Sequence, residues 1–294
     1  MRTWIASPMQ TDALARPSLL GALLVSFVLF VSGAQAGEDV RIASFNIQIF
    51  GKAKVNKPTI RAYLAEIIRK FDIAAIQEIK DASQTVPDVF LTEINSTGRN
   101  YRYVISERTG RQPDDRSSQE QYAYYIDADR IEVVDEDEGA LFDDSPNDLF
   151  QREPYTARFG VKGTPFTLTI TSIHTRPESA VAEIEALYAV YLDVQERYPH
   201  ESHHLILGDF NAGCAYATPA QLDALAIRGT AFHWIVPDTA DTNVSPNSAC
   251  AYDRLIANRA LFSHFKVWGI ANWFTDNKVS DHWPVWVTFK TAHP

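Results

Sequence analysis

Six short apolar runs in this chain each stop or start on an acid, an amide or a histidine, and that repetition narrows the possible folds more than any other feature. VRIASFN ends on Asn46, IAAIQE on Glu78, FTLTITSIH on His174, and LILGDFN on Asp209 and Asn211. Asp253 opens DRLI, and Asp281 and His282 precede WPVWV. Such runs read as buried strands, at 40–47, 72–76, 166–173, 205–207, 254–256 and 283–289, with a further pair at 101–106 and 121–126. Helical spacing lies between them. Apolar residues fall at 60, 64, 67, 68 and 71 in one stretch, and at 181, 184, 187, 188, 191 and 194 in another. The second opens with Glu178, Glu183 and Glu185 and closes on Arg197, signs that suit the helix dipole. Residues 108–119 and the acidic 135–151 read as loops. The pattern predicts one mixed α/β domain with more than one sheet covered by helices. Polar residues at strand ends that face a common edge are where α/β folds place their sites.

The N-terminus is set apart. A 13-residue apolar run at 19–31 follows Arg2 and Arg16 and precedes Ala34-Gln35-Ala36. That is the layout of a cleaved secretory signal, and the run is shorter than a membrane-spanning helix requires. We expect residues 1–36 to be a signal peptide and 37–294 a single catalytic domain, in an extracellular or periplasmic protein that has no membrane attachment after cleavage. In an exported chain the two cysteines, Cys214 and Cys250, most simply form one disulfide, with two buried thiols as the alternative. With 27 basic against 37 acidic residues the net charge is −10, so bulk charge does not advertise a nucleic-acid binder; a polyanion would need local cations to approach. There is no G-x-S-x-G elbow, Walker loop or G-x-G-x-x-G, which removes support for serine hydrolases, kinases and dehydrogenases.

The strand-end residues suggest a chemistry. Carboxylates and amide carbonyls are hard ligands suited to Mg²⁺, Mn²⁺ or Ca²⁺. Two histidines with carboxylates to orient them suit acid–base work near neutral pH. Together they describe a phosphodiesterase. The segments SFNIQIF, IAAIQEIKD, REPYTARF, SIHTRPESAVAEIEALYAVYLDVQE, LILGDFNAGC, ACAYDRLI and VSDHWPV closely resemble the deoxyribonuclease I family, within the endonuclease/exonuclease/phosphatase superfamily. The matches run in order from about 40 to 290.

The resemblance implies a four-layer α/β/β/α sandwich, two mainly antiparallel sheets packed face to face with helices outside. It implies a divalent-metal-dependent endonuclease that cuts DNA, preferably double-stranded, with little sequence preference, leaving 5′-phosphate and 3′-hydroxyl ends. Carried over residue by residue, His174 and His282 match the catalytic histidines, Glu120 and Asp253 their carboxylate partners. Asn46, Glu78, Asp209, Asn211 and Asp281 match the metal- and phosphate-binding positions, with Mg²⁺ or Mn²⁺ as the metal. Cys214 and Cys250 match the family disulfide, and Arg152 and Lys80 DNA-contacting positions. Asp241, Asn243 and Ser245 match one structural Ca²⁺ loop. Asp148, the Phe150 carbonyl and Glu153 match a second, with Glu138 as a weaker partner. The chain departs from the family at Gln48, where an arginine is usual. It departs again at Lys80, and in DDRSSQEQY, which lacks a groove-stacking tyrosine and leaves Arg111 or Arg116 as substitutes. Asn95-Ser96-Thr97 is a glycosylation sequon. The resemblance carries no actin binding, and we expect a monomer. The alternative activity is a sphingomyelinase-like phosphoesterase acting on a lipid or small phosphoester; a non-enzymatic binding module is the third.

Overall fold

A computed structural model describes residues 39–110, 119–134, 138–145 and 147–292. The expected signal at 1–36, with Arg111 and Arg116, lies outside the described residues. Among the described residues there are two sheets. The first has the order β12-β13-β1-β2-β4-β3 and the second β10-β11-β9-β8-β7-β5, with β6 paired to β7. The strands of the first are β1 (Asp39–Phe50), β2 (Ile73–Ile79), β3 (Tyr101–Ile105), β4 (Gln121–Asp127), β12 (Phe265–Ile270) and β13 (Val285–Lys290). Those of the second are β5 (Ile131–Val133), β6 (Ala140–Leu141), β7 (Tyr155–Val161), β8 (Thr167–His174), β9 (His204–Asp209), β10 (Phe232–Trp234) and β11 (Asp253–Asn258). Each sheet holds one parallel pair, β1–β2 and β8–β9, and the other pairings are antiparallel. The parallel pairs need crossovers. The first is made by α1 (Lys52–Val55) and α2 (Pro58–Ile68), the second by α4 (Ala180–Arg197). Their C-terminal ends carry Asn46 and Glu78 in one sheet, and His174 and Asp209 in the other.

Three apolar layers hold the sandwich. Ile42, Tyr124, Leu168, Leu205 and Val287 pack where the sheets face each other. Leu64, Ile68 and Phe90 seal α2 and α3 (Val86–Asn95) on the first sheet, and Ile184, Leu187, Val190 and Val194 seal α4 on the second. The expected four-layer α/β/β/α arrangement is thus present, and both predicted helices form, as 58–68 and 180–197. In α4 the predicted stripe is slightly rotated: Val190 is buried and Tyr188 is exposed. The acidic loop at 135–151 is not wholly loop, since β6 pairs with β7 inside it.

The turn after β2 is fixed by one carboxylate. Asp81 Oδ1 accepts from the Ser83 amide and hydroxyl, and Oδ2 from the Thr85 and Val86 amides at 2.7 and 2.9 Å. It thereby satisfies amides that would otherwise be orphaned at the start of α3. Burial alone would raise its pKa, but these bonds lower it to about 2. The folded pKa lies below the ordinary 3.8, so the stabilisation is complete above that value and fades as pH falls towards 2. Asp81→Ala should cost about 2 kcal/mol near neutral pH. Urea titrations of both proteins should show the gap closing in acid; a gap undiminished near pH 2 would refute the assignment.

Candidate active site

Both sheets contribute to one cluster, and local geometry explains how. Gly208 in GDFN has φ +146, and a Cβ there would stand 1.8 Å from the Ile173 carbonyl oxygen. Only glycine lets β9 lie this close to β8, which places Asp209 in register beside His174. In the first sheet the β2 register slips between Ile76 and Ile79. Glu78, at φ 61, sits in that bulge, which re-aims its side chain. Ile49 and Asn211 also have positive φ, 50 and 47. For a β-branched isoleucine that is strain, of a kind that persists where surrounding bonds enforce it. Here the Ile49 amide donates to Glu78 Oε2 at 2.7 Å.

Asn46 joins the two sheets. Its Nδ2 donates to Glu78 Oε1 at 3.1 Å and to Asp209 Oδ2 at 3.0 Å. The same Asp209 oxygen lies 3.5 Å from Nε2 of both His174 and His282. Each histidine is oriented from behind through Nδ1, His174 by Glu120 Oε2 and His282 by Asp253 Oδ2, both at 2.8 Å. These carboxylates are buried, so each Nδ1 donates and each Nε2 is left facing the cleft. The Asn211 amide donates to Asp209 Oδ1, and its Nδ2 to the Thr175 carbonyl. Gln48 Nε2 donates to Asp281 Oδ2 at 2.8 Å.

The charges follow from these contacts. Burial and the Arg152 charge press on His174, but Glu120 and Asp209 hold its pKa above the ordinary value. Burial presses likewise on His282, and Asp253, Asp209 and Asp281 raise it well above. Burial would raise Glu120; His174, Arg152 and Lys80 bring it down to about 2. Burial would raise Asp209 too, and the two histidines hold it below the ordinary value. For Asp253 burial outweighs His282 and the carboxyl is raised.

The donor set suits a hard divalent cation. Asn46 Oδ1 and Asp281 Oδ1 are buried and accept no hydrogen bond, and uncommitted oxygens beside Glu78 and Asp209 are what such an ion needs. A group of Asp209, Asp253 and His282 also has ligand atoms within 4.8 Å of one another. Asp253 is fully buried behind the His282 ring, which makes it an orienting partner more readily than a ligand. Beside His282 a cavity of about 550 Å³ is lined by Asn243, Ser245, Tyr252, Thr275 and Asp281.

Lys80 Nζ and Arg152 Nη1 both point at Glu120 Oε1, at 3.2 and 3.5 Å. Arg152 is 9% exposed and also donates to the His174 and Thr175 carbonyls. Both cations therefore brace the first histidine pair. Cys214 and Cys250 are disulfide-bonded. In the 241–247 loop Asp241 Oδ1 accepts from the Asn243 and Cys250 amides, Asn243 Oδ1 from the Ser245 amide, and Ser245 Oγ from the Asn247 amide. Asp148 has φ 49, Phe150 is buried, the Glu153 amide donates to Thr109 Oγ1, and Glu138 pairs with Arg102.

Sequence reasoning missed three supports. The Tyr122 hydroxyl accepts from the His174 amide. Ser280 Oγ donates to the Asn46 carbonyl and accepts from the His282 amide. Gln77 accepts from Ser44 and donates to Ser172, a buried polar link between the sheets. The only available signal was polar letters inside otherwise apolar runs.

Comparison with known proteins agrees with this fold. Residues 43–282 match the Endonuclease/Exonuclease/phosphatase family model. Deoxyribonuclease-1 from Canis lupus familiaris is 36% identical, covering 92% of this chain and 99% of that protein. The Homo sapiens protein is 36% identical over 92% and 98%. Among solved structures, humanized D. rerio TDP2 superposes with TM-score 0.60 at 13% identity, covering 86% of this chain and 100% of that one. The human Nocturnin catalytic domain gives 0.59 at 14%, covering 87% and 94%.

Proposed function

Because this chain belongs to the deoxyribonuclease I family within the endonuclease/exonuclease/phosphatase superfamily, we propose that it is a DNA endonuclease that hydrolyses phosphodiester bonds, leaving 5′-phosphate and 3′-hydroxyl ends. The observation that carries this reading is the pair of carboxylate-backed histidines whose Nε2 atoms face one Asp209 oxygen at 3.5 Å.

Hydrolysis needs a base for water and an acid for the leaving oxygen. The two Nε2 atoms meet that need symmetrically. In one pair Nδ1–H is held by its carboxylate and Nε2 carries a lone pair, which takes a proton as the water oxygen bonds to phosphorus. In the other pair Nε2–H gives its proton to the 3′ oxygen as the P–O3′ bond breaks. The proton balance closes, since one histidine gains what the other loses. Asp209 stabilises whichever ring is cationic. Asn46, Glu78, Asp209, Asn211 and Asp281 would hold the divalent ion. Bound there, Mg²⁺ or Mn²⁺ supplies neutralisation of the phosphate charge and a more acidic water. Asn46 bonds Glu78 and Asp209 together and keeps the oxygens gathered.

Residues 1–36 direct export and are removed, and 37–294 act as a secreted monomer on double-stranded DNA. The 241–245 loop and the Asp148–Glu153 segment hold structural Ca²⁺. The disulfide fits an oxidising compartment.

Residues 37–294 incubated with supercoiled plasmid, Mg²⁺ and Ca²⁺ should give nicked circles before linear DNA. Both products should vanish with EDTA and with His174→Ala. Plasmid left intact in every lane would move the assignment to a lipid or small phosphoester, and phosphocholine lipid would then be the substrate to assay.

A further inference from the structure

The strand ends opposite the catalytic cluster carry a concentration of positive charge that the hydrolysis does not use. A cavity of about 330 Å³ is lined there by Arg41, Arg69, Lys70, Arg99 and Arg130. They come from the start of β1, the α2–β2 and α3–β3 connections, and the turn after β4. Four separate segments thus bring five cations to one face of a chain whose net charge is −10.

Ion pairing within the fold cancels only part of this charge: Arg130 is matched by Asp72, and Lys70 lies 3.5 Å from Glu66, which leaves the three guanidinium groups of Arg41, Arg69 and Arg99. The two lining carboxylates are committed, Asp72 to Arg130 and the Arg41 amide, and Asp39 to Lys266. Arg69 is held by neutral groups: Nη1 donates to the Glu93 and Ile94 carbonyls at the end of α3. Arg99 Nη2 donates to the Arg69 carbonyl, with Asp127 no nearer than 4.0 Å. The Arg41 guanidinium lies over the Trp286 ring, 4.7 Å from its centroid. Carbonyls and a ring face fix a guanidinium without neutralising it, and leave further N–H groups for a ligand. A planar fork fixed in this way matches phosphate oxygens.

We propose that this pole is a second site for a DNA phosphodiester backbone, distinct from the catalytic cleft. The inference rests on the chain being a DNA endonuclease. Arg41 lies five residues before Asn46, about 17 Å along β1, at the far end of the sandwich. The two sites lie toward opposite ends of the strands, and duplex DNA is stiff on this scale, so the backbone bound here belongs to a different segment from the one being cut. Holding two segments raises the effective concentration of one at the cleft, which helps on long DNA and not on short duplexes.

The test compares wild type with Arg41→Gln/Arg99→Gln, two side chains that carry no part of the core. Substrates are plasmid and a duplex of about one helical turn, ~10 base pairs. The double variant should lose about 5–10-fold in kcat/KM on plasmid and nothing on the short duplex. Its log-rate against log-salt slope on plasmid should be shallower by about 1–2. Equal rates for both proteins on plasmid, or an equal loss on both substrates, would overturn the proposal. A parallel arm measures anisotropy of a labelled long duplex in EDTA, where weaker binding by the variant is expected. If neither protein cuts any DNA, the endonuclease reading fails, and the anisotropy arm still decides this site. If inorganic pyrophosphate binds wild type and not the variant while both hold the duplex equally, the pole is a small-phosphate site and the DNA assignment falls.

Discussion

His282→Ala should lower the rate of plasmid nicking by about 10²–10⁴-fold, the usual cost of losing a general acid or base. The size follows from the surroundings. The other ring nitrogen at 3.5 Å from the same Asp209 oxygen is that of His174, which is taken up by its own proton transfer, and Asp253 is too deeply buried to reach a substrate. His174→Ala should fall equally far, by the mirror argument through Glu120. The double variant should lose much less than the product of the two, because the histidines serve one reaction. Asp253→Asn separates orientation from chemistry: it keeps the shape, removes the charge behind the ring, and should also lose activity. Thermal melts should show each variant folded, with the alanine variants melting below wild type because a buried carboxylate loses its partner, so rates are compared on folded protein. Near-wild-type nicking by either alanine variant would remove the histidine pair from the mechanism.

Chelation should be as severe. EDTA should take nicking below detection, and added Mg²⁺ or Mn²⁺ should restore it. Asn46 and Asp281 each keep a buried oxygen with no hydrogen bond, a condition that costs about 1–3 kcal/mol per group when nothing satisfies it. A bound cation relieves that cost, so the prediction has a readout apart from catalysis. Mg²⁺ should raise the melting temperature of the wild type through linkage. In Asp281→Asn the shift should shrink and nicking should fall with it. A melting temperature indifferent to Mg²⁺, together with undiminished nicking in EDTA, would reject the ion site.

Much of this architecture was legible because the polar strand ends interrupt apolar runs. Asn46, Glu78, His174 and Asp209 stand out in the chain for the same reason that they meet in the fold: each lies in the C-terminal part of a strand of a parallel pair, His174 and Asp209 as its last residue and Asn46 with four more strand residues after it. What was hidden depends on partners far away in sequence. Lys80 and Arg152 read as contacts for DNA; that both also approach Glu120 no local pattern announces, since the partner lies 40 or 32 residues away. Ser44, Gln77 and Ser172 look like ordinary strand alternation until the two sheets face each other. Helix α3 opens VPDVF; its proline disguises it as a loop, although proline is well suited to the first turn. Strand β7 is broken in appearance by Arg158, whose charge is met by Glu201. Strand β6 is two residues long and exists only because β7 offers an edge.

The single Asn46 side chain that bonds to Glu78 in one sheet and Asp209 in the other has a consequence for the making of the protein. The parts of the cluster are contributed from residue 46 through residue 282, so a growing chain holds no complete cutting centre until nearly all of it has been made. Nor does secondary structure suffice, because each sheet by itself carries half of the constellation. Cutting power should therefore appear as a step, late, with the docking of the two sheets. A collapsed intermediate that has formed every strand but not that contact would leave the DNA around it untouched.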